Sequence, residues 1–261
     1  MGHPMSSDVN ITRLDAFTYR ERLAAQPQPP ILIPVGAIEQ HGPHMPLGVD
    51  MLLSTRMAEL AAERIGALVG PTVTTGYKSQ QRSGGGNHLI GSFGFDAATV
   101  IGICQTLVRE LTRHGARRIV FVNGHYENYQ FIYEGVDLAL REIGDQDAPS
   151  VMILSYWDFV TEEVIAQLYP DGFPGWDVEH GGVMETSLML EYFPEQVAMD
   201  RVMDLPPADL PLYDLLPVDP SLTPSSGCLS SGLAASADKG RILAESIVSG
   251  IAESITGRFG M

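Results

Sequence analysis

The chain has 261 residues, enough for one large domain or two small ones, and its 44% hydrophobic and 18% charged content is that of a compact protein with a substantial core. A net charge of −16 argues against nucleic acid and an anionic membrane surface as partners, because both recruit positive charge. Two cysteines make neither a disulfide framework nor a zinc spacing, and no stretch is apolar enough to cross a bilayer or serve as a leader, so a reducing, cytoplasmic setting is expected.

The first thirty residues are polar and close on Gln26-Pro27-Gln28-Pro29-Pro30, a stiff lead-in whose residues 1–11, including His3, are expected to be disordered. The apolar run 31–36 reads as a buried strand. Met51, Leu52, Met57, Leu60, Ala61 and Ile65 recur at helical spacing and predict a helix over 51–65. A second strand is predicted over 67–74. Residues 78–96, rich in Gly, Ser and Gln, form a loop too long for a simple connector, the kind that carries function. A helix follows over 97–114, with Cys104 on its apolar pattern and His114-Gly115 as its stop. Then come a strand over 119–123, a helix over 128–143, a strand over 151–155 and a helix over 183–193. Residues 203–227, dense in Pro, Asp and Leu, predict an arm that wraps the surface or a neighbouring subunit. A final helix is predicted over 237–256. Strands alternating with helices, with no repeat or linker-like break, predict a single-domain, three-layer α/β/α sandwich on a mostly parallel sheet.

Two motifs share an internal spacing. Glu39-Gln40-His41, with Asp50 following, comes after the first strand, and His125-Tyr126-Glu127 comes after the third. In extended chain, residues two apart point to one side, and in parallel α/β sheets ligands gather beyond the carboxyl ends of strands. Glu39, His41, Asp50, His125 and Glu127 are therefore candidate ligands for two divalent ions. Three carboxylates plus one hydroxide would balance the charge of two such ions, a neutral arrangement suited to ionising water. Mixed imidazole and carboxylate donors favour zinc or manganese over calcium. A single Glu-x-His is common by chance. Two of them at matching strand ends, with Asp50, make a metal role as good a reading as a structural one.

The segments Pro-Val-Gly-Ala-Ile-Glu-Gln-His-Gly-Pro-His (34–44), Asn-Gly-His-Tyr-Glu-Asn (123–128) and Glu-His-Gly-Gly-Val-Met-Glu-Thr-Ser-Leu-Met-Leu (179–190) resemble the creatininase family. Segments 76–88, 155–160 and 175–180 are similar to its creatinine-hydrolysing members, and the likeness runs from about residue 12 to 256. The resemblance implies two divalent metal ions, zinc and/or manganese. Glu39 and His125 would bind one, His41 and Glu127 the other, and Asp50 would bridge them. It implies reversible hydrolysis of creatinine to creatine, with a hydroxide bridging the ions as nucleophile. Ser83, Tyr126, Trp176, Asp177 and Trp157 would contact the planar substrate, and His180 would bind it and transfer the proton. It also implies a homo-oligomer, a hexamer. Glu185 reads equally as a first-turn helix carboxylate and stays outside the candidate site, while His44 and His88 are candidates to support it. Where such family members carry Phe-Pro-Gly-Thr, this chain has Leu89-Ile90-Gly91-Ser92. That change leaves open another small lactam, cyclic guanidine or formamide as substrate. A metal-stabilised, non-catalytic assembly protein is the rival of a different class.

Overall fold

A computed structural model describes residues 8–260. His3 and most of the expected disordered lead lie outside the described residues. The end of that lead is ordered: Val9 is buried and its carbonyl accepts the Val69 N–H at 2.8 Å, and the Asn10 side chain caps a short 3-10 turn, Ile11–Arg13. A helix that the polar lead-in concealed follows, α1 (Ala16–Leu23), capped by Asp15.

The remaining elements are β1 (Ile31–Val35), α2 (Val49–Ile65), β2 (Leu68–Val69), a one-turn α3 (Gln81–Gly84), α4 (Ala97–Arg113), β3 (Arg118–Asn123), α5 (Tyr129–Ile143), β4 (Ser150–Ser155), α6 (Glu162–Leu168), α7 (Val183–Tyr192) and α8 (Ala237–Phe259). The four strands make one sheet in the order β2-β1-β3-β4, and every pairing is parallel. The second strand is much shorter than the expected 67–74. Pro71 has no N–H to donate, so pairing stops after Gly70 and resumes only at Val73, whose carbonyl accepts from Gly36.

Alternation along the strands sorts the core into two halves. Leu32, Val120, Val122 and Leu154 face α2, α7 and α8, while Ile31, Ile33, Ile119 and Phe121 face α4 and α5. This is the three-layer α/β/α arrangement, with Cys104 buried on the second side. Two close approaches need glycine. A Cβ on Gly135 of α5 would lie 2.6 Å from the Ile101 carbonyl of α4, and one on Gly240 of α8 would lie 2.1 Å from the Ser187 carbonyl of α7.

Residues 203–227 cross the surface of their own chain. Thr223 Oγ1 donates to the Gly85 carbonyl, and the Asp219 carbonyl accepts from Gln81, so the arm is tied to α3. Leu212 and Leu216 along it are 92% and 82% exposed. No helix among the described residues is long and apolar enough to cross a membrane.

Candidate metal centre and active site

The chemistry-bearing side chains converge beyond the carboxyl ends of β1, β3 and β4, as the topology requires. Glu39 and His41 follow β1, Asp50 sits in the first turn of α2, and His125 and Glu127 follow β3. His180 precedes α7, and Glu185 lies in the first turn of that helix.

Three histidines share one construction. The His41 Nδ1 faces the Glu39 carbonyl at 3.3 Å, the His125 Nε2 the Tyr77 carbonyl at 3.1 Å, and the His180 Nε2 the Gln40 carbonyl at 2.8 Å. A carbonyl only accepts, so each of these nitrogens carries the proton and the opposite one offers a lone pair to the centre. His125 Nδ1 lies 2.9 Å from Glu39 Oε1 and 3.2 Å from Asp50 Oδ2. His41 Nε2 lies 3.0 Å from Asp50 Oδ1 and 3.4 Å from Glu185 Oε1. His180 Nδ1 is 3.9 Å from Glu39 Oε1, and its ring stacks on His41 with centroids 4.3 Å apart.

Three groups could each hold an ion: Glu39, Asp50 and His125; His41, Asp50 and Glu185; Glu39, His41 and His180. Glu39 Oε2, His41 Nε2, Asp50 Oδ2 and Glu127 Oε2 are buried without an aligned hydrogen bond, which a folded protein tolerates poorly unless something else satisfies them. The donors fit two divalent ions.

Electrostatics agrees. Burial alone would favour neutral imidazoles. The carboxylates of Glu185 and Asp50 around His41, and of Glu127 and Glu39 around His125, outweigh it and raise both pKa values well above the ordinary range. Burial opposes ionisation of Asp50 too, yet the two histidines hold its pKa down at about 2. The carboxylates around these two histidines favour positive charge at the centre. Behind it, burial pushes His44 down to about 4; its Nε2 lies 3.0 Å from Thr186 Oγ1.

The sequence-derived residues distribute as follows. Glu39, Asp50 and His125 meet. His41 is fully buried and joins them through Asp50. Glu127 stands on the far side of His125. The chain turns into a 3-10 helix at Tyr126–Asn128 instead of staying extended, and Glu127 Oε2 comes to 3.2 Å from His125 Nε2. Its Oε1 accepts the Gln80 N–H and the Ser83 hydroxyl, both at 2.6 Å. The carboxylate nearest His41 besides Asp50 is Glu185, which spacing alone left outside; its Oε2 accepts the Gly181 N–H at 2.7 Å. His88 is exposed and does not line the site.

A cavity of about 370 Å³ opens onto the centre, in the range of small-molecule sites. Ser83, Tyr126, Trp157, Trp176, Asp177 and His180 line it, with Leu188, Leu243 and Ile247 as an apolar floor from α7 and α8. Residues 89–96 do not line it. Sequence reading also missed Glu179, a half-buried lining residue whose Oε2 accepts the Tyr169 hydroxyl at 2.7 Å and whose Oε1 accepts the Met184 N–H at 2.6 Å; desolvation raises its pKa to about 7. Cys228, buried, sets its sulfur between Gly42 and Gly181, the residues that follow His41 and His180.

An all-parallel α/β/α sandwich with a buried histidine–carboxylate cage at its strand ends defines a binuclear metallohydrolase class of site. The chain belongs to the creatininase family, described as creatinine amidohydrolase, which matches residues 15–255. It is 55% identical over 259 residues to creatinine amidohydrolase of Pseudomonas putida, covering 98% of this chain and 99% of that one. Among solved structures it is similar to "Creatininase Mn" and to a zinc–zinc form of a Glu-to-Gln creatininase variant, each at TM-score 0.94, 54% identity and coverage of 97% and 99% of the two chains. The same substitution complexed with creatine gives a TM-score of 0.93 at 53% identity, with the same coverage. The chain is also similar to the mycofactocin precursor peptide peptidase of Mycolicibacterium smegmatis, 29% identical over 242 residues, 87% of this chain and 84% of that one.

Proposed function

We propose that the protein hydrolyses the ring amide of creatinine to creatine, reversibly, using two divalent ions, zinc and/or manganese, held by Glu39, His41, Asp50, His125 and Glu127. The carrying observation is one cavity that joins a buried carboxylate–imidazole cage to two indoles and an exposed carboxylate, Trp157, Trp176 and Asp177. The likeness to a creatine-bound creatininase supports the same substrate pair.

When bound, divalent ions polarise a carbonyl and lower the pKa of water. The chain supplies the rest. Trp176 and Trp157 present flat faces to a planar, delocalised ring. Asp177 accepts hydrogen bonds from guanidine-type nitrogens. Ser83 and the Gln80 amide fix Glu127 through its Oε1. His180, held by Nε2 on the Gln40 carbonyl, takes a proton on Nδ1 as the carbon–oxygen bond forms. It returns that proton to the ring nitrogen as the carbon–nitrogen bond breaks. The floor of Leu188, Leu243 and Ile247 keeps bulk water from the centre.

The whole chain is read as one functional domain working in the cytoplasm. The exposed apolar side chains of the 203–227 arm support a homo-oligomer, a hexamer as in the resemblance; molar mass by light scattering checks it. The deciding experiment is creatine production from creatinine by purified protein, before and after chelation and after zinc or manganese is restored. Metal-dependent turnover is expected. Two retained ions without turnover would overturn the substrate and point to another lactam, cyclic guanidine or formamide.

A further inference from the structure

We propose that Phe173 is a positioning residue that seats the Trp176 indole over the cavity, through a ladder of aromatic rings whose foot is fixed by the hydrogen-bonded carboxyl of Glu179; its effect on catalysis rests on the creatinine-hydrolysing reading.

The segment that leads into Trp176 is held by few hydrogen bonds. Gly172 and Gly175 bracket it at φ 114° and 113°, where L side chains are strained. A Cβ at either position would meet nothing within 4 Å, so conformation rather than crowding explains them. Among the described residues, the backbone hydrogen bonds of 172–176 are local, Gly172 to Tyr169, Val178 to Gly175 and Glu179 to Trp176. None reaches another element.

Side chains make the connection instead. The Phe173 ring meets Trp176 edge to face, with centroids 5.2 Å apart at 74°, and meets Tyr169 at 5.0 Å and 57°. Tyr169 and Phe173 both pack on the core beneath α7 and α8. The Tyr169 hydroxyl donates to Glu179 Oε2, and Glu179 Oε1 accepts from Met184 in the first turn of α7, the turn that also holds Glu185. The indole is thereby referenced to the helix that carries part of the metal cage. Trp176 is 45% exposed, and Phe173 is the aromatic ring packed against its indole.

The chain has two tryptophans, so Trp157→Phe leaves Trp176 as the sole emitter. In that background, Phe173→Ala and Phe173→Leu should raise acrylamide quenching of Trp176 about twofold, and Phe173→Tyr, which keeps the ring, should not. With Trp157 restored, Phe173→Ala and Phe173→Leu should raise KM for creatinine by about three- to tenfold while kcat and bound metal change little, again rescued by Phe173→Tyr. Leu retains bulk and guards against a variant that merely folds poorly. Unchanged quenching in both variants would overturn the seating, as would kcat falling at constant KM. The quenching arm needs no substrate, so a wild-type protein inactive on creatinine would sink the proposed reaction without deciding the role of Phe173.

Discussion

The rings of His41 and His180 stack 4.3 Å apart, yet they face different work. His41 aims Nε2 at Asp50 and Glu185, whereas the nearest carboxylate oxygen to His180 Nδ1 is that of Glu39, 3.9 Å away. On the proposed reading the first takes metal and the second transfers the proton. His180→Asn should therefore keep both ions while kcat falls by about 10²- to 10⁴-fold. Turnover assays alongside elemental analysis check this. Loss of an ion would instead make His180 a ligand.

Asp50 is shared by the His125 group and the His41–Glu185 group of candidate metal ligands. Asp50→Asn should release both ions together. Glu185→Gln, which replaces an anionic oxygen facing the His41 Nε2 lone pair with a neutral amide, should keep them but weaken retention by about 10- to 100-fold, the range for groups that neighbour a ligating imidazole. Competition with a chelator, followed by metal counting, separates the two variants. Stoichiometric loss of a single ion from Glu185→Gln would show that this carboxylate completes the His41 group itself.

Glu179 gives the stability a pH signature of defined sign. Burial raises its pKa from 4.5 to about 7. The folded state therefore binds more protons than the unfolded state between those values. Stability then falls as pH rises through the window, by about 3 kcal/mol for this group. Glu179→Gln should remove that drift, read as the pH dependence of the denaturation midpoint in wild type minus variant. A difference that stays flat from pH 4.5 to 7 contradicts the raised pKa.

Two glycines of α8 should respond oppositely to alanine. Gly257 has open space around it, so Gly257→Ala should gain up to about 1 kcal/mol from helix propensity. Gly240 abuts the Ser187 carbonyl, so Gly240→Ala should lose a net amount of about 1–3 kcal/mol through overpacking. Thermal or denaturant melts of the pair measure both.

What the sequence disclosed follows from where its signals are strong. The β1, β3 and β4 runs are apolar on both faces because helices cover both sides, and they stood out at once. The α1 helix buries only Leu23, so its stripe was too faint to find, although the Asp15 cap was a usable cue. The long reading of β2 ignored Pro71. At the site, Glu39, Asp50 and His125 were legible because each lies at a strand end or on the first helical turn beyond one. Glu185 was not: a first-turn carboxylate has the same sequence appearance whether it faces water or an imidazole, and only the docking of α7 decides. Glu179 hid for a related reason, since its partners Tyr169 and Met184 are brought to it by the packing of separate segments.

The floor of the cavity has an implication for biosynthesis. Leu243 and Ile247 belong to α8, whereas Glu39, His41 and Asp50 come from the beginning of the chain. A nascent polypeptide acquires the ionisable cage long before the hydrophobic base that dries it. Until α8 has emerged and docked on α2 and α7, the early carboxylates stay open to solvent, and a ribosome-bound fragment lacking α8 should be inert however many of the cage residues it carries.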